Sequence, residues 1–190
     1  MPRRFYKLTS NGAVTGRWHL SEPTDDRGRE VDDVWRFTEG RPLRAEGRLH
    51  VPLHRPGTPL DFTTTAACAT PVVHSRIASV LTGLVPNEAQ LLPVDVEAHP
   101  GPYFLLVTTH LIRCIDEARC AEVLFWTLED GQPEKAGQYR SVAGLRIDTA
   151  RVGEHRLFRP WGWPVALIVS DDLKAALEST GATGMKFAEV

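Results

Sequence analysis

The chain has 190 residues, 42% of them hydrophobic and 24% charged, and a formal net charge of −2. This composition is typical of a soluble globular protein, and the charge gives no global reason to bind nucleic acid or an anionic membrane. No apolar run reaches membrane-spanning length, the N-terminus lacks a secretory h-region, and three cysteines fit a reducing compartment better than a disulfide scaffold. We therefore expect a single domain over residues 1–190, located in the cytoplasm.

Residues 1–60 are predicted to be largely irregular, with short strands. Between residues 22 and 33, six acids outnumber two arginines and predict a local negative surface: Glu22, Asp25, Asp26, Glu30, Asp32 and Asp33. Trp35 and Phe37 then alternate with polar residues, as on a half-buried strand. Two interpretations remain open for this segment, a solvated loop anchored by tryptophans or a surface that binds a partner.

From Leu43 to Leu53, apolar and polar residues alternate, which predicts a strand with one buried and one solvated face. Pro52 favours a position at the sheet edge or at the strand end. His50 and His54 share the polar face, but no neighbouring acid or cysteine supplies further ligands. We therefore predict neither a metal site nor a cofactor.

Two later segments share one pattern: an apolar strand, a serine at a helix N-cap, an amphipathic helix and a returning strand. In residues 69–113, Ser75 is the predicted N-cap of a helix whose apolar face is formed by Ile77, Val80, Leu81 and Leu84. In residues 163–190, Ser170 is the predicted N-cap of a helix that carries Leu173, Ala176 and Leu177 and that Gly181 terminates.

The strongest strand signal, Tyr103–Ile112, is apolar on both faces, so we expect it to be central in a sheet and paired antiparallel with residues 91–96. Together these patterns predict an α+β fold. It has a mixed, mainly antiparallel sheet on which two strand–helix–strand units pack, and few short helices.

No set of catalytic residues is recognisable in the sequence. His74-Ser75 stands at a strand-to-helix turn but lacks the flanking glycines of a nucleophile elbow. Cys114 and Cys120 lack a metal or redox spacing and are interpreted as buried or neutral thiols. Trp161 and Trp163 flank a glycine beside prolines, which suits a packed corner, although a partner anchor is the alternative.

Several segments, in this order, resemble immunity protein family eleven of the bacterial polymorphic toxin systems. They are Pro71-Val-Val-His-Ser75, Gln90-Leu-Leu-Pro-Val94, Tyr103-Phe-Leu-Leu-Val107, Arg113-Cys-Ile-Asp116, Leu157-Phe-Arg159, Ile168-Val-Ser-Asp171 and Thr183-Gly-Met-Lys-Phe187. Gly16-Arg-Trp-His-Leu20 with Glu30-Val-Asp-Asp-Val-Trp35 is similar to the myxobacterial members in particular.

The resemblance implies a non-enzymatic protein that binds and neutralises a cognate protein toxin, a nuclease in our preferred hypothesis, inside the producing cell. The net charge and the lack of a membrane-spanning apolar run predict no direct contact with nucleic acid or membrane, and self-association is left open. An acidic surface could occupy the basic substrate cleft of such a toxin. The predicted contact residues are therefore the six acids named above, with Trp35 or Trp161 as an anchor.

Two alternatives belong to other functional classes. One is an enzyme that uses a pocket near the Ser75 and Ser170 turns, which requires His74 or His110 to meet a carboxylate at hydrogen-bonding distance. The other is a structural or regulatory protein that pairs with itself.

Overall fold

A computed structural model of the protein describes residues 3–44, 47–66 and 70–190. These residues form fourteen strands and two α-helices, so the predicted α+β class is confirmed. In chain order the elements are β1 (Phe5–Ser10), β2 (His19–Leu20), β3 (Leu49–Val51), β4 (Leu53–Arg55), β5 (Phe62–Thr64), β6 (Pro71–His74), α1 (Ser75–Leu84), β7 (Ala89–Val96), β8 (His99–Thr108), β9 (Leu111–Ile112), β10 (Glu122–Phe125), β11 (Tyr139–Ala143), β12 (Leu157–Pro160), β13 (Leu167–Ser170), α2 (Asp171–Ser179) and β14 (Met185–Glu189).

Ten strands form two five-stranded sheets. Sheet I has the order β14-β1-β13-β12-β9, and sheet II has the order β3-β7-β8-β6-β5. Pairing is antiparallel except between β9 and β12 and between β3 and β7. Two further pairs, β2–β4 and β10–β11, form separate two-stranded ribbons. Neither helix of the described chain has the length and apolar character needed to cross a bilayer.

Both predicted strand–helix–strand units are present and have the same topology. In the first, β6 and β7 lie on either side of β8; in the second, β13 and β14 lie on either side of β1. Their two helices contact each other and share one core with both sheets. Ile77 and Leu81 of α1 and Leu173 and Leu177 of α2 are buried in that core, where each side chain contributes about 1.5–3 kcal/mol.

Two further cores cover the remaining faces of the sheets. Neighbouring residues of a strand point to opposite faces, and in β8 Leu106 joins the shared core while Leu105 packs in a second core with Trp18 and Phe37. The strand is therefore central and covered on both faces, as predicted. In sheet I, Ile168 of β13 packs in a third core with residues of the segment between β9 and β12.

The structure corrects the predicted N-cap of the first helix. His74, not Ser75, is the N-cap of α1, because its backbone is still extended and its Nδ1 accepts the amide N–H of Arg76 at 3.4 Å. Ser170 is the N-cap of α2, as predicted. Its hydroxyl, however, donates to the carboxylate of Asp172 and bonds no backbone amide.

Three predicted strands differ from the structure. The predicted strand Tyr103–Ile112 ends at Thr108, and β9 belongs to sheet I. The alternating segment after Leu43 is reduced to β3 and β4, which Pro52 separates, since proline has no N–H to donate. Residues 34–38 form a 3-10 turn and no strand. Ala45 and Ala69, which the predicted strand and the first unit include, lie outside the described residues.

The two sheets meet closely at Gly184. Its carbonyl accepts the N–H of Asn11 at 2.7 Å, and the carbonyl of Thr183 accepts the N–H of Phe62 at 3.0 Å. Gly184 has a φ of 90°, and a methyl group at this position would overlap the carbonyl oxygen of Phe62. Glycine is therefore required here both by conformation and by space.

Candidate partner-binding site

The predicted negative surface folds into a cleft of about 440 Å³ whose charges balance. Four carboxylates and four guanidinium groups line this charged cleft: Asp25, Asp26, Glu30, Asp32, Arg27, Arg29, Arg36 and Arg44. Two of these arginines, Arg36 and Arg44, come from outside the acidic run. A segment that is acidic in sequence is therefore locally neutral in the fold.

Asp25 organises the loop that forms the charged cleft. Its carboxylate accepts the amide N–H groups of Arg27 at 2.8 Å and Arg29 at 2.9 Å, and it pairs with the Arg29 guanidinium at 2.7 Å. The hydrogen bonds from the backbone and the side chain of Arg29 hold the pKa of Asp25 below its ordinary value. Asp26, Glu30 and Asp32 are exposed and remain accessible to a partner.

Trp35 is presented to solvent by a short 3-10 turn, Val34–Thr38. Asp33 caps the turn, because its Oδ1 accepts the amide N–H of Trp35 at 2.9 Å. With three residues per turn, residues two apart lie on different sides. Phe37 is consequently fully buried, while Trp35 remains 46% exposed. The predicted strand would have placed both rings on one face, so the 3-10 turn corrects the expected orientation of Trp35 relative to Phe37.

A second wall faces this turn and is built from the β10–β11 ribbon and its connection. Asp130 caps the turn after Trp126 by accepting the amide N–H of Thr127 at 2.8 Å, and it pairs with Arg140 at 2.9 Å. Asp130 accepts hydrogen bonds from the backbone N–H and the hydroxyl of Thr127. These bonds, of which the one from the backbone has the larger effect, lower the pKa of Asp130. At the base, the N–H of Tyr139 donates to the carbonyl of Gly162 at 3.1 Å and fixes the ribbon to the strip before β13.

Between these walls lies a groove of about 960 Å³, the aromatic groove. Its apolar lining consists of Trp35, Leu111, Trp126, Tyr139, Trp163, Pro164 and Val165. Tyr139 donates its hydroxyl to Glu117 at 2.8 Å. Burial and this hydrogen bond raise the pKa of Tyr139 to about 12, so the ring is neutral at physiological pH.

The ribbon adds an apolar rim beside the aromatic groove. The rim consists of Leu124, Phe125 and Leu128, which are 48%, 41% and 74% exposed. The ring of Phe125 lies 5.1 Å from that of Tyr139, so the rim adjoins the groove at Phe125. Large apolar side chains exposed together on a folded protein are characteristic of an interaction surface.

The predicted contact residues are distributed over different places. Asp33 and Trp35 line the aromatic groove, whereas Asp25, Asp26, Glu30 and Asp32 line the charged cleft. Glu22 is half-buried and is not among the lining residues of either. The guanidinium of Arg113 lies 3.2 Å from the ring centre of Trp161 and covers one face of it. Of the two predicted anchors, Trp35 is the one in the groove.

Most of the groove and all of its rim were not predicted from the sequence. Leu124, Phe125 and Trp126 were not among the residues predicted to be functional. A signal was present, because residues 123–128 are mainly apolar without alternation, and a ribbon of two strands cannot bury such a run. Trp163, interpreted as part of a packed corner, lines the groove.

At the Ser75 turn, one histidine lies beside a carboxylate but does not reach hydrogen-bonding distance. His74 Nδ1 lies 3.6 Å from Asp61 Oδ1, and the other oxygen of Asp61 is bonded twice by Thr183. The pocket beside Ser75 has no histidine or carboxylate among its described lining residues. Cys114 is buried, and burial raises the pKa of its thiol to about 12, so it is neutral at physiological pH.

Within residues 3–44, 47–66 and 70–190, no group of three or more histidines, cysteines and acids could hold a metal ion.

No curated protein matches the chain. The family model described as immunity protein family (Imm11) matches residues 12–190, which is nearly the whole chain. Since this match covers both strand–helix–strand units, the charged cleft and the aromatic groove, the chain belongs to the immunity protein family Imm11.

Proposed function

We propose that this protein binds and neutralises a cognate protein toxin in the cytoplasm of the cell that produces it, without catalysing a reaction. The observation that carries the proposal is the family match over residues 12–190. The surface supports it, because the aromatic groove and the apolar rim have the composition that protein interfaces favour. A protein that acts by binding needs such a surface and no catalytic residues.

We further propose that the toxin is a nuclease and that the charged cleft faces its basic substrate-binding site. Asp26, Glu30 and Asp32 are exposed and can approach lysine and arginine side chains of a partner. Four arginines line the same cleft as these acids and balance its four carboxylates in the free protein. The expected contribution is therefore to the rate of association and to partner choice more than to affinity.

The test is co-expression with the candidate toxin encoded in the neighbouring reading frame. We expect the toxin alone to stop growth and co-expression of this protein to restore it. A catalytically inactive toxin should co-purify with this protein at a fixed ratio. If growth is not restored and the two do not co-purify, this toxin is not the cognate partner. Failure with every neighbouring toxin would reject the proposed function.

The nuclease hypothesis has its own readout. Purified toxin should degrade plasmid DNA or total RNA, and one equivalent of this protein should stop the degradation. A toxin that is neutralised in cells but degrades neither substrate would leave immunity intact and contradict the nuclease assignment.

A further inference from the structure

We propose that the aromatic groove and its apolar rim form the principal contact surface for the toxin, and that an uncharged segment with protruding aliphatic or aromatic side chains enters the groove. This inference rests on the proposed function and names the surface that performs it. It places the main contact at residues 33–41, 122–140 and 162–165, away from most of the acidic run.

The composition of the groove supports a protein partner. Tryptophan and tyrosine dominate the binding free energy of interfaces because they bury large rigid surfaces with little loss of conformational entropy. Here three tryptophans and one tyrosine line a single concavity: Trp35, Trp126, Trp163 and Tyr139. They come from three separate parts of the chain, and the bond from Tyr139 to Gly162 joins two of these parts. The groove is therefore formed before a partner arrives.

The charges of the groove favour an uncharged occupant. Three carboxylates and three cations line it: Asp33, Glu39, Glu134, Arg41, Lys135 and Arg140. Glu39 pairs with Arg41, and the charges of Lys135 and Arg140 lie 5.3 and 5.4 Å from the ring centre of Trp126. A charged segment would have to displace these contacts, and the zero net charge gives it no compensating attraction. An apolar segment leaves them in place at the edge.

The ribbon supplies the third observation. Natural proteins protect edge strands with charges, prolines or a covering element. Within the described chain, β10 pairs only with β11, yet it carries Leu124 and Phe125 in exposed positions. Leu128, in the following turn, is 74% exposed and contributes little to any core of the free protein. The rim is therefore explained by a bound partner better than by the packing of this chain.

The experiment measures binding of the catalytically inactive toxin domain encoded beside this chain. Trp35→Ala removes a side chain that lines the groove, and Leu128→Asp replaces an apolar side chain of the rim with a charge; Leu128→Ser is a milder second variant. Leu84→Asp is the matched control, because Leu84 is 40% exposed on α1 and belongs to neither the groove nor the rim. We expect each groove variant to raise the Kd by about 30-fold or more, the range of interface hot spots, and the control to change it by less than about 3-fold.

The outcomes separate the two proposals. If the wild-type protein binds none of the neighbouring toxins, the proposed function fails. If the wild-type protein binds and the groove variants bind equally well while their thermal unfolding is unchanged, the groove assignment is overturned and the function stands. Sizing of the free wild-type protein at high concentration adds one more outcome. If the free protein is a dimer and Leu128→Asp dissociates it, the surface binds a second copy of this chain and the proposal is overturned.

Discussion

The charged cleft and the aromatic groove lie on either side of the short 3-10 turn at Trp35, and they are built in opposite ways. The cleft takes most of its residues from one stretch, 25–36, and its charges cancel within the fold. The groove takes its aromatic residues from positions 35, 126, 139 and 163, and their exposed surfaces add together. Folding neutralises the charge that is concentrated in the sequence, whereas it brings together aromatic residues that are far apart in the sequence.

This difference has an energetic consequence. An exposed ion pair contributes about 0–1 kcal/mol, and a partner must compete with the pairs already present. A buried aromatic anchor at an interface contributes about 2 kcal/mol or more. We therefore expect the aromatic groove to set the lifetime of the complex and the charged cleft to set its rate of formation.

The largest expected effect concerns the contact between the two sheets at Gly184. Gly184→Ala should lower the free energy of unfolding by about 3 kcal/mol, because the new methyl group overlaps the Phe62 carbonyl at a positive φ. Denaturant unfolding measures this. Gly12→Ala is the control, since a methyl group at Gly12 meets no atom within 4 Å. Equal stability of the two variants would show that the contact between the two sheets does not require glycine at position 184.

The next effect concerns the rim. Phe125→Ala with Leu128→Ala should raise the Kd for the toxin about 100-fold, mainly through faster dissociation, because these side chains lose a buried apolar contact. Surface plasmon resonance separates the two rate constants. Leu84→Ala, outside the groove, should leave both constants unchanged. If the double variant associates more slowly but dissociates at the normal rate, the groove and its rim do not set the lifetime of the complex.

A smaller effect is expected in the charged cleft. Reversing its exposed acids, Asp26→Lys with Glu30→Lys and Asp32→Lys, should slow association about 10-fold at low salt and weaken its salt dependence. Dissociation should change by less than about 2-fold. A control variant with the same change in net charge reverses three exposed acids elsewhere: Glu154, Glu178 and Glu189. If the two triple variants behave alike, the cleft does not face the toxin.

The smallest effect is that of pH. Tyr139, with its pKa raised to about 12, and Asp130, with its pKa lowered from 3.8, keep their charge states between pH 6 and pH 9. Dissociation should therefore change by less than about 2-fold across this range. Stabilisation of the Asp130 turn is complete above pH 3.8 and is lost as the pH falls further through the lowered pKa. Stopped-flow dissociation at pH 6, 7.5 and 9 measures this. A pronounced pH optimum of the dissociation rate constant would contradict the prediction.

The sequence predicted the scaffold better than the surface. Amphipathic helices and strands that are apolar on both faces carry periodic signals that reflect their burial, so both units and the central position of β8 could be predicted. The predicted N-cap at Ser75 was wrong by one position, because His74 keeps an extended backbone and its Nδ1 accepts the N–H of Arg76. The long strand from Tyr103 was wrong at its end, because the change of sheet at Thr109 depends on tertiary pairing.

The candidate site could be predicted only in part. Trp35 and Asp33 were identified from local composition, but Trp126 and Tyr139 reach them only through the pairing of β10 with β11. Two of the four arginines that balance the acids of the cleft, Arg36 and Arg44, come from outside the acidic run, and their approach is likewise a property of the fold. Local patterns report burial along one element, whereas a surface depends on which elements become neighbours.

Hydrogen exchange of the protein with and without the inactive toxin tests the central claim most directly. We predict that the toxin slows exchange in β10 and in the turn Val34–Thr38, whose backbones support the apolar rim and the aromatic groove. Slowing confined to the loop at residues 25–32, or to the two helices, would contradict the assignment of the aromatic groove as the toxin-binding surface.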